Sequence, residues 1–165
     1  MSREFAYERD MQVPVIAWLE SQGFVCTREL CSLSYNKMDI VAGRFGERIS
    51  RRIPPLLEAI AVELKLNDLN GVLLQCVRNR GCVERAYAAI PADRYSKLRA
   101  GSITRFVTEG VGLLSVSRES VTEVIPAQRS SGTAGRIYKN LWRKIQRERR
   151  PVCNEARVVE GANFN

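Results

Sequence analysis

The chain is 165 residues long, 45% apolar and 27% charged, which suits one domain with a buried core and excludes a disordered or fibrous chain. Lys and Arg number 26 against 18 Asp and Glu, giving a net charge of +8 and a pI near 9.6, so a polyanion is the expected partner, with nucleic acid first. Histidine is absent, which excludes Ser-His-Asp and Cys-His hydrolases, HExxH metalloenzymes and any nuclease with a histidine base.

Taken in chain order, a first helical region is predicted from Glu4 to Ser21. Met11, Val15, Trp18 and Leu19 fall on one face, Pro14 marks a start or kink, and Gly23 supplies the stop. Strands follow at Phe24 to Leu30 and Met38 to Ala42. A connection carrying Arg44, Arg48, Arg51 and Arg52 ends at Pro54-Pro55 and leads into the clearest strand, Leu57 to Leu66. A short helix bearing Leu69, Val72, Leu73, Cys76 and Val77 comes next, closed by Gly81. Val83 to Ile90 returns to strand, Ala92 to Ala100 reads as helix, and Val111 to Val116 with Val121 to Ile125 read as a terminal strand pair. This order predicts an α/β or α+β domain with one mixed sheet and helices packed on it.

The composition changes near Gln128. A linker-like Ser130-Ser131-Gly132-Thr133-Ala134-Gly135 precedes an amphipathic basic stretch from Arg136 to Arg150, with Ile137, Leu141 and Ile145 one helical turn apart. From Gln128 onward nine Lys or Arg face three Glu, a net of +6, which leaves +2 for the first 127 residues. The expected organisation is therefore a core over 1–127 and a basic linker with a C-terminal helix over 128–165. No apolar run of about 18 residues occurs, so no membrane partner is expected. The charged N-terminus is unlike a signal peptide, and the five cysteines show no CxxC pair, so a reducing cytoplasm is expected. Cys26, Cys31, Cys76 and Cys82 would make a four-thiolate site only if they gathered, and their spacing is not that of a zinc knuckle.

Within the best strand, Glu63 and Lys65 lie two residues apart, hence on one face, while Ile60, Val62 and Leu64 take the other. Charge embedded in so apolar a strand is costly unless it is used or paired. Asp39 is a second such charge in another apolar strand. Two strand carboxylates that converge form a hard-oxygen site for Mg²⁺ or Mn²⁺, and a neighbouring lysine can position a water.

Asp39, Glu63-Leu64-Lys65 and Gln75 in the following helix resemble the PD-(D/E)xK nuclease superfamily. Glu8-Arg9-Asp10 before Pro14, Trp18 to Phe24, and Arg85 to Pro91 resemble a set of uncharacterised bacterial members. The resemblance covers residues 4 to 125 and departs from the pattern at Met38, where proline often precedes the aspartate. It implies a restriction endonuclease-like α/β fold, a mixed central sheet flanked by helices, here with a basic C-terminal helical extension. It also implies Mg²⁺ or Mn²⁺ held by Asp39, Glu63 and the carbonyl of Leu64, with Lys65 assisting the attacking water. Gln75 and Glu8 would support the site. DNA is the implied substrate, and a homodimer is compatible with cutting two strands.

Each residue also has a plainer reading. Glu63 and Lys65 can be solvated charges on a half-exposed sheet, and Asp39 a turn carboxylate. Gln75 can be an ordinary surface residue, and Glu8 has rivals in Glu4 and Asp10, all placed to suit a helix start. Arg44, Arg48, Arg51 and Arg52 are either phosphate contacts or a solvated loop. Arg143, Lys144 and Arg147 are either DNA contacts or the wet face of a helix docked on the core. The expectation is a Mg²⁺-dependent deoxyribonuclease. The alternatives are a catalytically weak DNA-binding module on the same fold, or an interaction domain whose basic helix meets an acidic partner or an anionic membrane surface.

Overall fold

A computed structural model describes residues 4–31, 37–48, 53–131 and 135–148. A 3₁₀ turn, Glu8–Met11, leads into α1, Gln12–Ser21. Three antiparallel strands follow: β1, Val25–Cys31; β2, Lys37–Phe45; and β3, Leu56–Leu64. Helix α2, Leu69–Asn79, carries the chain to β4, Arg85–Pro91, which lies parallel to β3. Helices α3, Ala92–Tyr95, and α4, Ala100–Thr108, make the second crossover to β5, Gly112–Val116, again parallel. An antiparallel β6, Val121–Ile125, completes a six-stranded sheet whose spatial order is its chain order. Helix α5 spans Gly135–Glu148.

The middle of this sheet is apolar on both faces because helices cover both. Ala59, Ala61, Ala86 and Ala88 face a layer built from α2, α4 and α5, and their small side chains let those helices approach closely. Ile40, Ala42, Ile60, Val62 and Leu64 face α1 and pack on Met11, Val15 and Leu19. Asp68 caps α2, its carboxylate accepting from the Gly71 N–H at 2.8 Å. On β2, a Cβ at Gly43 would stand 2.8 Å from the Phe45 ring and 3.0 Å from Leu141 Cδ2, so glycine is what lets α5 lie against the sheet here.

The first helix begins later than the sequence predicts, because residues 8–11 take the tighter 3₁₀ form. Helix α4 is not foreseen at all. Its Gly101, Thr104 and β-branched Ile103 and Val107 weaken helix propensity, and the burial of Phe106 in the core, with Ile103 packed beside it, fixes it there. The expected break at residue 128 is not a break in the packing. Ile137, Leu141 and Ile145 of α5 are fully buried in the same cluster as Val41 and Ala61, so the described part of the basic segment is a layer of the domain. None of the helices among the described residues is long and apolar enough to cross a membrane.

Candidate active site

The β2–β3 ladder pairs Ile40 with Val62, and one step further along the same register Asp39 meets Glu63. The Leu64 N–H donates to Asp39 Oδ2 at 2.9 Å, so Asp39, Glu63 and Leu64 come together at one end of the two central strands. Glu63 is only 2% exposed. Asn79 Nδ2, from the last turn of α2, donates to Glu63 Oε1 at 2.6 Å. Burial, and after it the charge of Asp39, pushes the Glu63 carboxyl up to about 8, while the Asn79 hydrogen bond and the Lys65 ammonium pull it down. A hydrogen bond between the two acids adds to the rise. Glu63 is therefore no solvated surface charge, and Asp39 is a partner to it rather than a turn carboxylate.

Lys65 follows the end of β3, its N–H donating to the Ala89 carbonyl at 3.0 Å. Its ammonium donates to Glu8 Oε2 at 3.2 Å, and Glu8 Oε1 accepts from the Leu66 N–H at 3.4 Å. Geometry thus separates Glu8 from its rivals. Asp10 Oδ2 accepts from the Tyr7 N–H at 2.9 Å as a local cap, and Glu4 Oε1 accepts from the Arg118 N–H at 3.1 Å. Gln75 lies one helical turn before Asn79, and its Oε1 is buried with no hydrogen-bond partner among the described residues. Asn79 is the site residue that sequence reasoning missed. Its i+4 spacing places it on the same helix face as Gln75, but that alone does not show that it reaches Glu63.

The basic residues do not share one place. Arg44 lies inside β2 rather than in a connection, ion-paired to Glu58 at 3.2 Å and set 4.4 Å from the Phe24 ring centre. It is five residues from Asp39 on the same strand, roughly 17 Å away, so it does not adjoin the carboxylates. Arg48 is exposed, and Arg51 and Arg52 lie outside the described residues. Arg143, Lys144 and Arg147 line a groove of about 510 Å³ between α5 and the end of β1. Within it Lys144 is committed to the backbone, donating to the carbonyls of Arg28 and, at 2.8 Å, Glu29.

The thiols do not gather. Cys26 packs on the α1 side of the sheet and Cys76 on the α2 side, where it donates to the Tyr87 carbonyl at 3.2 Å and burial pushes its thiol well up. Among the described residues no three Cys, Asp or Glu side chains form a metal-holding group. A cation at the carboxylate pair would rest on Asp39 and Glu63 and on backbone oxygen, for which the carbonyl of Leu64 is the neighbour at hand. Two hard carboxylate oxygens set side by side in a buried site are a donor set that fits a divalent cation.

Fold and site together define a mixed α/β protein with a paired acid site on adjacent central strands. No known family profile matches the chain, and no curated protein does. Among solved structures it is similar to a protein of unknown function from Silicibacter pomeroyi, with a TM-score of 0.58 and 15% identity over 88% of each chain. That likeness is one of fold.

Proposed function

We propose that this protein is a metal-dependent nuclease with a restriction endonuclease-like fold, hydrolysing DNA phosphodiester bonds. The observation that carries the reading is the Asp39–Glu63 pair. Two acids placed side by side in an apolar sheet, one buried and raised to about 8, are a costly arrangement that a divalent cation relieves. Mg²⁺ or Mn²⁺ bound there would supply positive charge to the pentacovalent transition state and acidify a water. Asp39 and Glu63 would hold the ion, with the Leu64 carbonyl beside them. Lys65 would orient the attacking water and stabilise developing negative charge, itself aimed by Glu8 at 3.2 Å. The orphaned Gln75 Oε1 would accept a hydrogen bond from that water shell. A homodimer would cut both strands of a duplex.

One observation favours a second reading, a DNA-binding module with weak catalysis: Glu63 is closed off from solvent and pinned by Asn79. Cleavage of supercoiled, linear and branched DNA in Mg²⁺ decides between them. Lys65→Ala and Glu63→Ala should each lose at least about a hundredfold in rate with circular dichroism unchanged. Unchanged cleavage in both variants overturns the nuclease reading. Salt-sensitive binding by the native protein without any cleavage favours the second.

A further inference from the structure

An open groove of about 550 Å³ lies where the N-terminal segment, β1 and the β5–β6 turn meet, with Phe5, Arg9, Asp10, Val13, Arg28 and Arg118 in its lining. Its three arginines come from three separate elements and are all exposed. None of them has a carboxylate within ion-pair distance among the described residues. The groove's own acid, Asp10, is engaged by the Tyr7 N–H. Arg118 is steadied by its Nε–H, which donates to the Glu4 carbonyl at 3.0 Å, and Arg9 lies 4.9 Å from the centre of the Tyr7 ring. Tyr7 and Val13 are 60% and 67% exposed, so apolar surface is interleaved with the guanidinium groups.

Two of its arginines neighbour residues of the candidate active site along the chain or across the ladder. Arg9 follows Glu8, the residue that holds Lys65. Arg28 pairs with Ile40 in the β1–β2 ladder, one residue from Asp39. Directly opposed residues share a face, so Arg28 stands on the α1 side with Ile40, and a strand running from the groove to the carboxylates has to round the end of the sheet where Glu8 holds Lys65. The groove beside α5 is less suited to an anion. Glu29 and Glu148 line it, and its Lys144 already bonds two carbonyls.

We propose that the Arg9–Arg28–Arg118 groove seats a nucleic-acid phosphate backbone and leads it to the Lys65 end of the site. The proposal rests on the nuclease reading only in its choice of polyanion. Guanidinium forks suit phosphate oxygens, and none of the three has an ion pair within the described residues to give up when it takes one on. Exposed Tyr7 adds a surface on which a base can stack.

Binding of a fluorescent 20-nucleotide strand and its duplex to the full chain in EDTA, followed by anisotropy across a salt series, tests this apart from any cleavage. Arg9→Gln with Arg28→Gln should weaken binding about tenfold or more and flatten the log Kd against log salt slope by about 1 to 2. The Lys double variant at the same positions should keep the slope, which separates lost charge from lost folding. Arg143→Gln with Arg147→Gln should have the smaller effect. The proposal is overturned if the Arg9/Arg28 pair leaves affinity and slope unchanged, or if the loss falls on the α5 pair. It is equally overturned if the native chain ignores both oligonucleotides and binds phosphatidylserine vesicles instead. Failure of Mg²⁺ cleavage alone would sink the nuclease reading and leave this result standing.

Discussion

Glu58 and Glu63 are five residues apart on β3, and the surroundings of the two acids are opposite. Glu58 receives two cations, Arg44 at 3.2 Å and Arg85 at 3.3 Å, from the strands on either side. Glu63 receives an amide from Asn79 and a second acid, Asp39, and its carboxyl rises to about 8. A carboxylate kept for stability is neutralised by its own neighbours. One set against a like charge, with no cation of the chain in ion-pair contact among the described residues, is the arrangement expected of a working site rather than of a stabilising pair.

The largest effect expected from this contrast is on cleavage. Glu63→Gln should lower the Mg²⁺-dependent rate by about 100- to 1000-fold, whereas Glu58→Gln should leave it within a few-fold. Equal losses would erase the distinction between the two acids.

The pH response sharpens it next. Glu63 titrates near 8 in the folded chain and near 4.5 once exposed, so the folded state holds a proton that the unfolded state has released. Its favourable share of stability is complete below 4.5 and is lost as pH rises through 8. Melting temperatures in EDTA should therefore fall more steeply from pH 5 to 9 in the native chain than in Glu63→Gln, and parallel curves would show that no such proton exists. Mg²⁺ should reverse the trend, because binding requires the ionised pair and expels the proton.

The smallest effects are on stability itself. Asn79→Ala should cost about 1 to 3 kcal/mol in urea unfolding, since it leaves a buried carboxyl oxygen without its donor. Glu58→Gln should cost about 1 kcal/mol or less, because Arg44 and Arg85 are more than a third exposed and water replaces their partner. The reverse ranking would mean that the surface triad, not the buried pair, carries the electrostatic weight.

The sequence makes one side of this comparison readable and hides the other. Glu63 and Lys65 stand out because alternation places two charges on one face of an apolar run, and Asp39 because its strand is equally apolar. The Glu58 triad is invisible, since opposing Arg44 and Glu58 depends on a register set by the intervening connection. Asn79 is hidden for a related reason: its reach to Glu63 depends on how α2 lies across the sheet, which no local pattern encodes. The mixed sheet and most of its strands follow from apolar runs cut by Gly, Pro and polar turns. Helix α4 does not, because tertiary packing of Phe106 and Ile103 overrides weak local propensity.

The order of the strands carries a consequence for how the protein assembles. Because the sheet follows the chain from β1 to β6, each strand can add to a neighbour already in place, with hairpin connections or a single helical crossover to close. Helix α5 is the exception. It returns to the first strand, where Thr27 Oγ1 donates to Glu148 Oε1 across a separation of 121 residues. That contact carries the larger closure entropy, so α5 is expected to dock after the sheet, sealing one side of a core whose other side is covered by α1. The two tryptophans sit on either side of this divide, Trp18 edge-on to Tyr87 and Trp142 edge-on to Phe45. Each indole is thus a built-in reporter of one helix layer, Trp18 of the docking of α1 and Trp142 of the docking of α5.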